Sequence, residues 1–152
     1  MAVGRLDRDS EGLLLLTTDG KTSYHILSSK VEKEYYAQVD GVITDDAIKQ
    51  LQQGVTITVE NEAYLTKPCN VSALDVSQLN LPIRAKKIRD ERHGPTSWIS
   101  ITLREGKFRQ VRKMTAAAGF PTLRLVRFRI GQIRLNSMQA GEVIQLDDNF
   151  EI

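Results

Sequence analysis

Seventeen residues near the start of the chain constrain it most. Gly4-Arg5-Leu6-Asp7-Arg8-Asp9-Ser10-Glu11-Gly12-Leu13-Leu14-Leu15-Leu16-Thr17-Thr18-Asp19-Gly20 sets a carboxylate between two arginines, then adds a glycine and four consecutive leucines. The leucine run has the length of a strand and is bounded by glycines, so a fully buried strand is expected over Gly12–Thr18. Asp7 then lies in a polar turn entering the core, where its neighbours can hold a carboxylate beside a pocket. Arg5 and Arg8 supply the Coulombic attraction that favours an ionised acid. Such a group is a candidate nucleophile or base. A purely structural Arg–Asp turn is the alternative, because ion-pair networks form away from active sites as well.

With 152 residues the chain suits one domain with a sizeable core. A hydrophobic fraction of 41% and a charged fraction of 26% are those of an ordinary soluble globular protein. No run of 18 apolar residues occurs, so no membrane span is expected. The start Met1-Ala2-Val3 does not read as a signal peptide, and Cys69 is the one cysteine. A reducing cytoplasm is therefore the expected location. Two histidines and one cysteine, far apart, give no metal-ligand spacing, so no metal is expected.

The net charge of +2 says little, but its distribution says more. Between Arg84 and Arg134 fourteen basic side chains face three acidic ones, Asp90, Glu91 and Glu105, a local balance of +11. Charge segregation of this kind builds a cationic face for phosphates. The competing reading is a solvated surface whose neutralising acids come from elsewhere in the chain.

Patterning predicts a mixed α/β domain of the α+β kind, with a mainly antiparallel sheet and flanking helices. A helix is expected at about 21–28 and a strand at 33–39. A second helix, capped by Thr44 and carrying Asp45 and Asp46 in its first turn, runs to about Gln53 and stops at Gly54. Short strands are expected at 55–59, 63–65 and 67–74, and an irregular basic loop at 78–95. At 97–103 Trp98, Ser100 and Thr102 alternate with Ile99, Ile101 and Leu103, as in a half-buried strand. A third helix is expected at about 109–118, with Val111, Met114, Thr115 and Ala118 at helical spacing and Gly119 as its stop. Strands at 122–130, 133–135 and 143–146 complete the chain.

The turn before that third helix is the second informative segment. Glu105-Gly106-Lys107-Phe108-Arg109-Gln110-Val111-Arg112-Lys113-Met114 gathers four cations around a helix N-terminus, which itself favours anions. Arg109, Arg112 and Lys113 share a helix face by their i, i+3, i+4 spacing. Phosphate binding and ordinary solvated cations both remain open here.

Taken together, these segments make the chain resemble a pseudouridine synthase of the RsuA-type branch, which modifies ribosomal RNA. Gly4-Arg5-Leu6-Asp7 with the leucine run and Asp19-Gly20 is similar to the family's catalytic-aspartate motif. Lys33-Glu34-Tyr35 resembles its Lys-x-Tyr strand, and the 105–114 segment its third motif. Gly131 after a basic strand also fits. The three motifs occur in family order across nearly the whole chain, and Pro95-Thr96-Ser97-Trp98 and 119–125 most resemble the subgroup acting on 23S rRNA.

The resemblance implies the pseudouridine synthase catalytic-domain fold and an isomerase of the intramolecular transferase kind, converting a uridine of ribosomal RNA to pseudouridine without a cofactor. It gives Asp7 the role of nucleophile and Tyr35 that of the ring packing on the target base. Lys107 becomes the cation expected to pair with the aspartate. Leu6 and Val111 are expected pocket walls, and Arg5, Arg8, Arg109, Arg112 and Lys113 expected RNA contacts. Tyr36, next to Tyr35, should point to the opposite face of the strand. Family members normally carry sequence before the aspartate motif, including a Lys-Pro strand region and often an S4 RNA-binding domain. Here the motif starts at residue 4, so residues 1–152 are expected to be an N-terminally incomplete catalytic domain without an S4 domain. The rival reading from another class is a non-catalytic RNA-binding module derived from this family. A hydrolase built on Asp7 and Glu11 is the weakest reading, for want of a second catalytic group.

Overall fold

The structure is a computed structural model that describes residues 1–28, 31–75, 77, 79–81, 91–147, 150 and 152. Its elements in chain order are β1 (Glu11–Gly12), α1 (Gly20–Ser28), β2 (Lys33–Asp40), α2 (Asp45–Gln53), β3 (Thr56–Val59), β4 (Glu62–Leu65) and β5 (Asn70–Leu74). A 3₁₀ turn at Glu91–His93 precedes β6 (Thr96–Leu103), α3 (Gln110–Ala117), β7 (Thr122–Ile130) and β8 (Ile133–Arg134).

The main sheet runs β1-β7-β2-β6-β5, with β8 turned back onto β7. All its described pairings are antiparallel except β1 with β7. The central β2 reads Lys-Glu-Tyr-Tyr-Ala-Gln-Val-Asp, aromatic and β-branched enough to be hydrogen-bonded on both edges. Its odd positions, with Ile99, Ile101 and Leu103 of β6, face a core closed by Leu51 of α2 and by Val111 and Met114 of α3. The β3–β4 hairpin seals the same core through Ile57. Fully burying each of these large apolar side chains is worth about 2 kcal/mol.

The opposite face of the sheet is mixed. Tyr36 stacks on Phe128 at 4.4 Å and 13°, and Leu13, Val126, Ile130 and Leu135 form a smaller second core. Polar ties complete this face: Gln38 donates to Thr96 at 2.9 Å, and Ser100 donates to Glu34 at 2.7 Å. β6 is therefore covered on both faces, Trp98 and Ser100 included, and is not the half-buried strand its alternation predicts. The face assignment itself holds.

Three further expectations are corrected. The leucine run is not a buried strand: pairing of β1 with β7 stops after Glu11↔Val126 and Gly12↔Arg127. Leu13 is buried but Leu14 is 44% and Leu16 66% exposed. The cause is local. The Leu13 carbonyl accepts from the Arg127 side chain rather than from a strand, so the chain leaves the ladder there. Residues 143–146 form no strand, and Val143 is 83% exposed. Arg109 is not the first residue of α3. It stands one position before the helix in the left-handed region, at φ 52° and ψ 34°. Within the expected basic loop at 78–95, residues 78 and 82–90 lie outside the described residues.

Gly12 is the point of closest approach between the N-terminal segment and the sheet. Its φ is +107°, and a Cβ there would lie 2.2 Å from the Arg127 carbonyl oxygen. No rotamer relieves a clash with backbone. Gly12→Ala is expected to lower unfolding free energy by about 2–4 kcal/mol. A denaturant titration checks this, and a loss under about 0.5 kcal/mol would show that β1 shifts freely.

Candidate active site

Tyr35 and Tyr36 separate as strand geometry requires. Tyr36 goes to Phe128, while Tyr35 turns toward a cleft of ≈ 1480 Å³ at the end of the sheet. The cleft wall also holds Asp7, Leu6, Val111, Lys107, Arg5 and Arg109. A register irregularity between Glu34 and Tyr35 in the β2–β7 pairing sits at this rim, where a bulge re-aims a side chain. Expected catalytic and wall residues from three distant segments thus meet in one cavity.

Asp7 lies in the loop entering β1, and its side chain is 18% exposed. The Ser10 N–H donates to the Asp7 carbonyl at 2.9 Å and closes a tight turn. The ion pair to Asp7 comes from Arg109, whose Nη1 is 3.6 Å from Oδ2. The expected partners are elsewhere. Arg5 lies over the Phe108 ring at 4.2 Å. Arg8 is exposed in the turn, and the Lys107 ammonium sits 5.0 Å from the Tyr64 ring. Sequence spacing could not show this, because the left-handed backbone of Arg109 redirects its side chain away from the α3 face.

Arg109 also grips Asp9 through two hydrogen bonds of 3.0 and 2.9 Å. Arg112 adds Nη2 to the Asp9 carbonyl at 2.9 Å and to the Ser10 hydroxyl at 3.2 Å. Of the expected RNA contacts, Arg112 is therefore turned into the loop, and Lys113 donates to the Thr58 carbonyl at 2.8 Å. Neither they nor Arg8 line the cleft.

The turn that carries Lys107 is fixed by a network centred on Glu105. Its carboxylate accepts from the Tyr64 hydroxyl, from the Lys67 N–H at 2.8 Å and from Gln110 Nε2 at 2.9 Å. Gln110, buried, in turn accepts the Lys107 N–H at 3.0 Å. Burial works to raise the Glu105 pKa, but these donors outweigh it and hold the group below the usual carboxylate range. The 105–114 segment is thus partly a scaffold, a role its charge pattern hides.

Cys69 and Lys33 line the same cleft. Burial, then the Glu105 charge, pushes the Cys69 thiol up to about 11, so it stays protonated at neutral pH and is no nucleophile. Burial, then repulsion from Arg127, lowers the Lys33 ammonium. Among the described residues no cluster of His, Cys, Asp and Glu is arranged to hold a metal ion.

Part of the +11 segment finds its neutralising charge elsewhere in the chain; its Arg84, Lys86, Lys87 and Arg89 lie outside the described residues. Arg104 pairs with Glu32, Arg109 and Arg112 with Asp9, Arg124 with Glu11, and Arg129 with Glu32 and Glu34. The acids of the first half of the chain fold back onto the arginines of the second.

Comparison with known proteins gives the family and the fold. The family model described as RNA pseudouridylate synthase matches residues 1–117. A ribosomal large subunit pseudouridine synthase E of Vibrio parahaemolyticus is 42% identical over 146 residues, covering 93% of this chain and 58% of that protein. Its counterpart in Xanthomonas campestris is 41% identical, covering 93% of this chain and 74% of that one. A ribosomal large subunit pseudouridine synthase B of Yersinia pestis is 37% identical over 97% of this chain and 41% of its own length. A crystal structure of a pseudouridylate synthase superposes with a TM-score of 0.69 at 29% identity, over 89% of this chain and 50% of that one. The fold is therefore that of the pseudouridylate synthases. The chain belongs to the RNA pseudouridylate synthase family, and it spans 58% of the length of the Vibrio relatives.

The Asp9–Arg109 contact predicts an acid dependence. The hydrogen bond from Arg109 holds Asp9 at about 2, against desolvation and helped by Arg112. A depressed folded-state pKa contributes stability that is complete above the unfolded value near ~3.9 and is lost as pH falls through the folded value. Because the Asp9 side chain is 47% exposed, solvent screening limits the contribution to about 1 kcal/mol or less. Wild type should exceed Asp9→Asn in stability by a constant margin above about pH 5. The margin should shrink between about pH 4 and 2, as read by urea titrations across that range. A margin independent of pH would show that Asp9 is not held as an anion by Arg109.

Proposed function

We propose that this domain converts a uridine of ribosomal RNA, in the large-subunit RNA, to pseudouridine. The supporting observation is the shared cleft: a largely enclosed carboxylate, Asp7, faces the same cavity as Tyr35 in a chain whose relatives carry that name. Asp7 acts as the nucleophile on the target uridine, at the ribose C1′ or at the base. The glycosidic bond breaks, the uracil turns, and a carbon–carbon bond forms as the C5 proton leaves. The reaction is redox-neutral and is written without a cofactor.

Each named residue has a physical task in this scheme. A carboxylate nucleophile gains from fixed geometry and exclusion of water, and Arg109 with the Asp7–Ser10 turn supplies the fixation. A uridine in folded RNA is flipped out and stacked on an aromatic ring, for which Tyr35 is the candidate. Leu6 and Val111 give the apolar walls. Arg5, Arg8, Lys107 and Lys113, which have no carboxylate partner among the described residues, are the cations free to meet phosphate. Arg109 and Arg112 act through the loop they hold. The reaction belongs in the cytoplasm, with the ribosomal RNA.

Asp7→Asn should abolish tritium release from RNA labelled at uridine C5 while leaving RNA affinity within about threefold, because binding rests on phosphate contacts. Undiminished release removes Asp7 from the reaction. RNA binding without turnover by wild type and by a longer relative favours the binding-module reading instead. Arg8→Ala should weaken binding across RNA sequences and reduce the slope of log K against log salt by about 1. Filter binding over a salt series checks this, and an unchanged slope places Arg8 away from phosphate.

A further inference from the structure

Arg127 is the one buried arginine of the described residues, 6% exposed on the β7 strand, and it has no carboxylate within salt-bridge reach. Burying a guanidinium without a counter-charge is costly unless its protons are used. Two of its three nitrogens are used on carbonyls. Nε donates to the Leu13 carbonyl at 2.9 Å, and Nη1 donates to the Arg5 carbonyl at 3.2 Å. Those two carbonyls flank Asp7, one before it and one after it. The strand backbone completes the grip, for the Leu13 N–H donates to the Arg127 carbonyl at 3.0 Å.

Register makes this placement more pointed. Arg127 is the cross-strand partner of Tyr35 on one side and of Gly12 on the other. The same residue therefore joins the strand bearing the aromatic ring to the loop bearing the carboxylate. We infer that Arg127 is a positioning residue whose forked guanidinium spans both ends of the Asp7 loop and sets its distance from Tyr35. This rests on the proposed role of Asp7, though the clamp itself does not. The planar fork serves the two carbonyls from separate nitrogens in fixed directions, whereas lysine donates from one nitrogen and is a poor substitute. The remaining Nη2 is buried without a hydrogen-bond partner. Its cost is tolerated as long as the other nitrogens keep the loop in place.

The test combines amide hydrogen exchange with kinetics on Arg127→Met and Arg127→Lys, compared with wild type and Asp7→Asn. If the clamp operates, amides within residues 6–12 exchange at least about tenfold faster in both Arg127 variants and at the wild-type rate in Asp7→Asn. Tritium release at saturating RNA falls about 100-fold, with KM changed less than about threefold. Added guanidinium restores part of both readouts in Arg127→Met. Should Arg127→Met fail to fold, Arg127→Lys carries the same comparison. Unchanged exchange in a folded Arg127 variant overturns the inference, and so does slow turnover with a protected loop. A wild-type protein that releases no tritium sinks the proposed function, while the exchange measurement still decides the clamp.

Discussion

The segment that carries Asp7 has almost no backbone ladder of its own, and arginine side chains supply what the ladder would have given. Two residues of β1 pair with β7, the Leu13 N–H adds one bond to the Arg127 carbonyl, and beyond it residues 15–17 are tied to residues 1–3 only by an isolated bridge. Arg127 takes up carbonyls from beneath, Arg112 takes the Asp9 carbonyl, and Arg109 grips the carboxylates of Asp7 and Asp9. Each contact crosses about a hundred positions of sequence, as in Arg109 to Asp9 with a separation of 100. The cleft therefore exists only where β7 and α3 are docked on the N-terminal loop.

Arginine has the right chemistry for this use. It keeps its charge, donates through a rigid fork and is hydrated weakly enough to be buried. Carbonyl acceptors suit it because they compensate charge through dipoles while leaving the carboxylates of the loop for other partners. The acids of the first half of the chain are consumed in turn by Arg104, Arg124 and Arg129 on the outer parts of the sheet. What began as a large surplus of positive charge along the sequence becomes a framework of pairs. Arg5 and Lys107 line the cleft without a carboxylate partner among the described residues, and Arg8 and Lys113 lie outside it.

Much of this was legible before any coordinates. Thr44 capping α2, Gly119 ending α3 and the split of Tyr35 from Tyr36 all follow from local rules, because φ preferences and strand alternation act within a few residues. The meeting of the 7, 35 and 107 regions in one cleft came from motif resemblance rather than from periodicity. What escaped was long-range. Four leucines read as a buried strand because apolar composition does not reveal whether a neighbouring strand exists to pair with them. Arg109 was placed on a helix face because its left-handed backbone has no signature in the side chain itself. Arg127 looked like one more basic residue in an alternating strand, and only its two carbonyl partners distinguish it.

The use of side chains in place of a ladder also bears on how open the cleft is. A neighbouring strand that satisfied the carbonyls of Arg5 and Leu13 would have to occupy the space beside the loop, spaced only about 4.8 Å away. A guanidinium entering from the floor satisfies the same groups and leaves the upper side open. Tyr35, opposite Arg127 in the register, borders that open side. Rigidity of the carboxylate and openness of the cleft beside it are therefore compatible, because the restraint comes from a side chain rather than from a neighbouring strand.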